Sequence, residues 1–225
     1  MKPIAHIHTD FGSKFGVPRQ SGIVGKLVGR IVMEPEYRER EAFRGLDQFS
    51  HIWLIWHFSE IQNTKWSPTV RPPKLGGNRR VGVFATRSPF RPNNIGLSSV
   101  KLQRIEYDTV DGPVLWVEGA DLMDNTPIFD IKPYLPFTDS HPDARGGFTE
   151  EVLQTEKKLE ITNSEVLHGM LPNDKVEVLI EVLKNDPRPQ YHSDKDRIYG
   201  IDFCGKDINF RVEGNQLTII VVSSD

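Results

Sequence analysis

The sequence predicts a mainly β fold: a closed or nearly closed β-barrel over residues 1–138, followed by a small C-terminal α+β domain over 139–225. Three observations predict it. Seven short runs rich in β-branched and aromatic residues fill most of the first 136 residues, each bounded by Gly, Pro, Asn or Asp. One of them, HIWLIWHF at 51–58, is apolar at nearly every position, as a strand buried on both faces would be, at the centre of a barrel or under a partner. Beyond residue 139 the text changes to a small, polar, turn-prone linker, SHPDARGG, and then to an apolar stripe at helical spacing.

The predicted strands run in the order IAHIH (4–8), KLVGRIVM (26–33), HIWLIWHF, RVGVFA (80–85), SSVKLQRIEY (98–107), PVLWVEGA (113–120) and IFDIKPY (128–134). Few helical patterns interrupt them, and closing such a set into a barrel removes its exposed edges. One helix is expected at 36–43, just after Pro35. In the second domain Val176, Leu179, Ile180 and Leu183 fall on one helical face, with Asn173 or Asp174 opening the helix and Pro187 stopping it. A short helix is expected from Ser164. RIYGIDFC, INFRV and QLTIIVV, the last two joined across the turn EGN, predict a small antiparallel sheet.

Composition narrows the function classes. A chain of 225 residues with 37% apolar and 26% charged residues is long enough for two unequal domains and too balanced for disorder. The single cysteine, Cys204, excludes an internal disulfide and a multi-cysteine zinc site, so no metal site and a reducing, cytoplasmic setting are expected. No window approaches the roughly 20 apolar residues that span a bilayer, and no membrane association is predicted. The net charge of −3 conceals a sharp asymmetry: residues 61–105 contain nine cations and no acid, leaving the rest of the chain at −12. Such a cationic region on an acidic body can steer a polyanion to one face, unless folding scatters the charges into local ion pairs. No dinucleotide G-x-G-x-x-G, no P-loop, no G-x-S-x-G elbow and no H-E-x-x-H helix is present, so a nucleotide-like cofactor needs another architecture.

Four constellations carry chemistry. FGVPRQSG (15–22) offers a stiff Pro18, the cation Arg19 and the amide of Gln20. FSHIWLIWHFSE holds His51 and His57 six residues apart, on one face of a strand but about 20 Å from each other, too far to share a metal. FATRSPFRPNNIGLS (84–98) presents Arg87 and Arg91 on a loop stiffened by Pro89 and Pro92. Planar guanidinium groups suit a carboxylate, a phosphate or a base. DLMDNTPIFDIKPYLPF (121–137) sets Asp124 in a turn and aligns Asp130, Lys132 and Tyr134 on one strand face, which lines a cleft or forms the wet side of a half-exposed strand.

Taken together, FGVPRQSG, RGLDQFSHIWLIWHF, TVRPPKLGGNRRVGVFATRSPFRPNNIGLS and DLMDNTPIFDIKPYLPF, in that order, resemble the TsaA/YaeB-like tRNA methyltransferases of the TrmO family. The likeness is dense from Phe11 to Phe137 and extends into the tail through NDPRPQY at 185–191. It implies a TsaA-like, non-Rossmann β-barrel that uses S-adenosylmethionine to methylate N6 of N6-threonylcarbamoyladenosine, next to the anticodon at position 37 of tRNA reading ACN threonine codons. It also implies a homodimer with the cofactor near the interface. By matching motif positions, the cofactor residues are Pro18, Arg19, Gln20, His57, Phe58, Arg87 and the run Asp121, Leu122, Met123, Asp124, Asn125 and Thr126. Two positions depart from the family pattern: Asn94 stands where a second proline is usual, and Asn125 where glycine is common.

Side-chain chemistry then assigns roles. The N6 nitrogen is a delocalised, poor nucleophile, so a general base is required; Asp124 and Asp130 are the candidates, with Tyr134 donating to the carbamoyl oxygen and Lys132 holding the threonyl carboxylate or a phosphate. Arg71, Arg79, Arg80 and Arg91 are expected on tRNA phosphates, with Arg188 and Tyr191 adding a phosphate contact and a stacking ring in the tail. The competing readings are a non-catalytic RNA-binding β-barrel and a methyltransferase of the same fold acting on a small adenine derivative.

Overall fold

The computed structural model describes residues 1–61, 66–75, 79–150, 158–188 and 194–224. The first strand, β1 (Ala5–His8), buries Ala5 and Ile7 and turns His6 and His8 outward, the two-residue alternation of a strand with one wet face. The same alternation recurs in β2 (Val28–Met33) and β3 (His51–His57). Two-residue strands follow at β4 (Thr69–Val70) and β5 (Val81–Gly82). Long β6 (Ile95–Glu106), β7 (Val114–Glu118) and β8 (Thr126–Pro133) complete the first part of the chain. Six of these strands close into a barrel in the order β1-β2-β7-β6-β3-β8, every neighbour antiparallel and β8 returning to β1. Ile7, Ile31, Ile52, Leu54, Leu115 and Ile128 are fully buried in its interior, each contributing roughly 1.5–3 kcal/mol relative to an exposed side chain.

A bulge decides which way the fourth constellation faces. On β3 the partners of Ile55 and Trp56 are Asp130 and Ile128, so Phe129 is one residue more than the ladder needs. An inserted residue reverses the side-chain alternation beyond it. Ile131 therefore joins Ile128 in the core, and Asp130 and Lys132 turn outward.

Three expectations are corrected. RVGVFA forms no barrel strand: after two extended residues it tightens into a 3-10 turn at Val83–Ala85, since only Val83 of the run is buried and Phe84 is 71% exposed. The helix expected at 36–43 is replaced by 3-10 turns at Pro35–Tyr37 and Arg40–Phe43, followed by a third at Leu46–Gln48. Phe43 is the single buried residue of the first two turns, too narrow an apolar face to hold a longer helix. HIWLIWHF is buried on one face only, through Ile52, Leu54 and Trp56, while Trp53, Ile55 and His57 keep partial exposure on the other.

The chain divides into two units. One comprises Met1–Asp10, Pro18–Val70 and Gly82–Ser140; the other comprises Phe11–Val17, Arg71–Val81 and His141–Asp225. Segments 11–17 and 71–81, which a linear division gives to the first domain, thus belong with the second. The short helix α1 (Pro136–Asp139) closes the barrel unit. In the other unit β9 (Glu160–Thr162) precedes a 3-10 turn at Ser164–Leu167, where a helix was expected. The amphipathic helix α2 (Asn173–Lys184) forms and buries Val176, Leu179 and Leu183 of its predicted stripe together with Val178 and Val182, while Ile180 is half-buried. Strands β10 (Tyr199–Phe203), β11 (Lys206–Glu213) and β12 (Gln216–Ser224) form the antiparallel sheet, and β9 adds to β12 in parallel. Phe11 bridges to Phe203, and the Phe15 ring stacks 6.0 Å from Tyr199 and 6.3 Å from Phe210.

Candidate active site

At one end of the barrel β1 and β3 finish, β2, β6 and β8 begin, and β7 turns over into β8. Three of the four constellations converge there. The 18–22 loop is pinned by the Gly22 amide donating to Gly119 O at 2.9 Å. A Cβ at Gly119, whose φ is +78°, would stand 3.3 Å from the Gly22 backbone, so glycine at 119 suits both the left-handed backbone and the close approach of the two segments. Arg87 donates from Nη1 to Gln20 Oε1 at 2.5 Å, and Gln20 Nε2 donates to Arg19 O at 2.5 Å.

Asp121 is the electrostatic centre of this mouth. Burial pushes its carboxyl above the ordinary carboxylate range; the Ser98 hydroxyl, its own backbone amide, the positive Arg87 and the Ser21 N–H pull it back. Ser98 Oγ donates to Asp121 Oδ1 at 2.5 Å and accepts from Trp56 Nε1 at 3.0 Å. The buried hydroxyl therefore relays from the barrel interior to the mouth. Ser98 and Trp56 escaped the sequence reading, yet strand parity signals Ser98: it is a polar residue at an inward position between Gly96 and Val100.

The loop that carries Arg87 is stiff for reasons beyond its prolines. Ser88 N donates to Thr86 Oγ1 at 3.2 Å, Phe90 N to Ser88 Oγ at 3.2 Å and Asn94 Nδ2 to Pro89 O at 2.8 Å. The Asn94 amide thus closes the loop where a proline would have stiffened it. Phe58 N donates to Asn94 O at 3.0 Å, tying the end of β3 to the loop. Phe58 lies 4.2 Å from the Trp56 ring, and His57 lies 5.6 Å from Phe129.

The other predicted residues distribute differently. Asp124 Oδ1 accepts from Thr9 N at 3.1 Å and pairs with His8 Nδ1 at 3.2 Å, joining the β7–β8 connection to the end of β1. Leu122 is buried, Met123 O accepts from Thr126 Oγ1 at 2.8 Å, and Asn125 takes a left-handed φ of 60°, a conformation asparagine tolerates in place of glycine. Asp130 and Lys132 form an ion pair of 2.8 Å on the outer face, and Tyr134 continues their row with its ring 5.5 Å from Trp53. Arg91 is engaged within its own loop, donating to Val83 O at 3.2 Å and Thr86 O at 2.6 Å, with its guanidinium 5.7 Å from the Phe84 ring. Arg188 forms a two-pronged bond to Asp186, 2.9 Å from Nε and 2.9 Å from Nη2. Arg71, Arg79 and Arg80 are exposed in the unit that contains the C-terminal sheet. Tyr191 lies outside the described residues.

An exposed guanidinium, an amide and a partly buried carboxylate beside half-exposed rings fit a small zwitterionic ligand with a flat base, such as an amino-acid-bearing nucleoside. The fold is a closed antiparallel β-barrel, and this end of it is a candidate site for such a ligand. Residues 6–140 match the family model described as the tRNA-methyltransferase O N-terminal domain, and residues 148–225 match the TrmO C-terminal domain. A tRNA (adenine(37)-N6)-methyltransferase of Escherichia coli K12 is 39% identical over 93% of this chain and 91% of its own length. One of the same name from Eikenella corrodens is 45% identical over 77% of this chain and 97% of its own. The crystal structure of TrmO from Pseudomonas aeruginosa superimposes with a TM-score of 0.75 at 32% identity, covering 99% of this chain and 97% of that one. The chain belongs to the TrmO family.

Proposed function

We propose that this chain is an S-adenosylmethionine-dependent tRNA methyltransferase, adding a methyl group to N6 of N6-threonylcarbamoyladenosine at position 37 of threonine tRNA. The observation that carries the reading is the meeting of Gln20, Arg87 and Asp121 at the barrel mouth, in a chain whose Escherichia coli relative is named for adenine 37. It works in the cytoplasm as a homodimer. The apolar outer row supports that pairing: Trp53 and Ile55 stay half-exposed, and Leu97, opposite Ile55 on β6, is 51% exposed.

When bound, S-adenosylmethionine supplies an electrophilic methyl group on a sulfonium. Pro18, Arg19, Gln20, His57, Phe58, Arg87 and the 121–126 run are the residues to hold it. Arg87 suits the amino-acid carboxylate, and Asp121 suits a hydroxyl or ammonium. The chain's remaining tasks are to align the N6 nitrogen, exclude water and remove its proton. Asp124 or Asp130 takes that proton; Tyr134 donates to the carbamoyl oxygen and Lys132 faces the threonyl carboxylate. Arg71, Arg79 and Arg80 carry the phosphate contacts, with Arg188, Tyr191 and Arg91 subsidiary to them.

The test is nucleoside mass spectrometry after incubating the purified protein with S-adenosylmethionine and threonine tRNA, with and without the threonylcarbamoyl group. Methylated threonylcarbamoyladenosine from the first tRNA alone is the expected product. Methylation of the unmodified adenosine, or of neither tRNA, overturns the reading.

A further inference from the structure

We propose that Trp56 and Ser98 are positioning residues for the cofactor site: a one-way hydrogen-bond chain from the barrel interior holds Asp121 as an acceptor, so that the mouth meets S-adenosylmethionine with a carboxylate. The inference rests on the reading of residues 121–126 as part of the cofactor site, and every residue it uses belongs to the barrel unit.

The direction of the chain is set at its inner end. An indole N–H can only donate, and that of Trp56 donates to Ser98 Oγ at 3.0 Å. One lone pair of the hydroxyl is thereby occupied, and its single hydrogen goes to Asp121 Oδ1 at 2.5 Å. Ser98 is 1% exposed, and among the described residues its hydroxyl bonds to these two groups alone. A proton arriving at Oδ1 would leave the Ser98 hydrogen without a partner in a buried site, which is costly. Burial favours the neutral acid at Asp121; the Ser98 hydroxyl is the foremost of the groups opposing it, ahead of the Asp121 and Ser21 amides and the Arg87 charge. The indole itself cannot swing away. Trp56 is 8% exposed, and Phe58 packs 4.2 Å from its ring. Gly96, its partner on β6, brings the backbone so close that a Cβ would stand 2.2 Å from Cε2. A side chain of the barrel core thus governs the charge at its mouth.

The measurement is calorimetric titration of the purified protein with S-adenosylmethionine over a pH series, alongside NMR titration of the Asp121 carboxyl carbon in the ligand-free protein. Wild type is compared with Ser98→Ala, Ser98→Cys and Trp56→Phe. Arg19, Arg87, His57 and Asp124, the other charged or titratable residues assigned to the cofactor, are present in every variant, so differences between profiles report Asp121. Ser98→Ala is expected to move the carboxyl titration to higher pH, because the foremost opposing donor is lost. It should also weaken binding at neutral pH by about tenfold, the scale of one hydrogen bond to a charged group. Trp56→Phe keeps Ser98 but frees its hydroxyl to accept from a protonated carboxyl, so the titration should again move upward, by less. Ser98→Cys, a weaker donor of similar size, should fall between wild type and Ser98→Ala, and it supplies the comparison should the alanine variant not fold. Loss of binding on acidification should follow the carboxyl titration in each variant, whereas a merely structural defect would lower affinity at every pH without moving that midpoint. A carboxyl titration unmoved in either the Ser98 or the Trp56 variant overturns the one-way chain and leaves the cofactor site standing. A titration that moves while affinity and its pH profile stay at wild type overturns the assignment of Asp121 to the cofactor, and this inference with it.

Discussion

Asp121 shows how environment, and not residue type, selects among carboxylates. Asp121, Asp124 and Asp130 are equivalent in the sequence. In the fold, Asp121 is desolvated beneath the mouth, Asp124 bonds to β1 and Asp130 pairs with Lys132. Burial raises the Asp121 pKa, so folding favours its protonated form; the stability it contributes is present at low pH and is lost as pH rises from the ordinary range, about 3.9, through the raised folded value. At neutral pH the ionised carboxylate is a net cost to the fold. Asp121→Asn is therefore expected to raise the Tm by a few degrees at pH 7, while its amide oxygen still accepts from Ser98. The gain should shrink as pH falls from the raised folded value of Asp121 to the ordinary aspartate range and be absent below it, and affinity for S-adenosylmethionine should fall, the usual exchange between stability and a functional charge. Calorimetric melting across pH checks the sign, and an unchanged or lowered Tm at neutral pH would refute it. The sequence could not rank the carboxylates because the groups that shift Asp121 lie far along the chain, Ser98 being 23 residues away. The same limit holds for Arg87 and Arg91, alike in text: one reaches Gln20 and the other folds back onto Val83 and Thr86.

Among elements, the β3–β6 pair holds the site, and its weakest tolerance is at Gly96. That residue pairs with Trp56 across the ladder, and a Cβ there would stand 2.2 Å from the indole. The indole cannot retreat without giving up its bond to Ser98. Gly96→Ala is expected to destabilise the protein by about 1–3 kcal/mol, as overpacking of a rigid core does. Gly82→Ala is the control: its φ of −59° suits any residue and nothing stands within 4 Å of its Cβ, so the change should stay within about ±0.5 kcal/mol. Urea midpoints of the two variants measure the difference; equal values would mean the barrel relaxes around Trp56. The six barrel strands were legible as short β-branched and aromatic runs bounded by turn residues, such as IAHIH and HIWLIWHF, although the second hid its alternation because both of its faces are apolar. RVGVFA failed because β-branched composition counted without period: Val81 is half-buried, Gly82 exposed and Val83 buried, after which the chain turns out to Phe84. β9 was missed because three residues joining a sheet in parallel leave almost no local pattern.

At the scale of the molecule, the linker suggests a linear division at residue 138, and the interleaving of the two units has no local signal in the sequence. FGSKFGV reads as a turn, and its two phenylalanines acquire meaning only against Phe203, Tyr199 and Phe210, nearly 200 residues later. The same interleaving divides the acid-free cations: Arg71, Arg79 and Arg80 belong to the unit containing the C-terminal sheet, while Arg87 and Arg91 belong to the barrel unit. Charge that looked like one block in the sequence is thus carried by two structural units. If the second body neutralises tRNA phosphates, its arginines should govern salt dependence without governing cofactor affinity. The double substitution Arg79→Ala with Arg80→Ala is expected to weaken tRNA binding at low salt. It should also flatten the slope of log affinity against log salt by about 0.7–0.9 for each phosphate no longer neutralised. Calorimetric affinity for S-adenosylmethionine should stay at the wild-type value in that variant, whereas Arg87→Ala should reduce it and alter the salt slope little. Filter-binding titrations over a salt series separate the two variants. A wild-type slope for the Arg79 and Arg80 double variant would place the polyanion on some other face, and the acid-free run would then be a folding accident of the sequence.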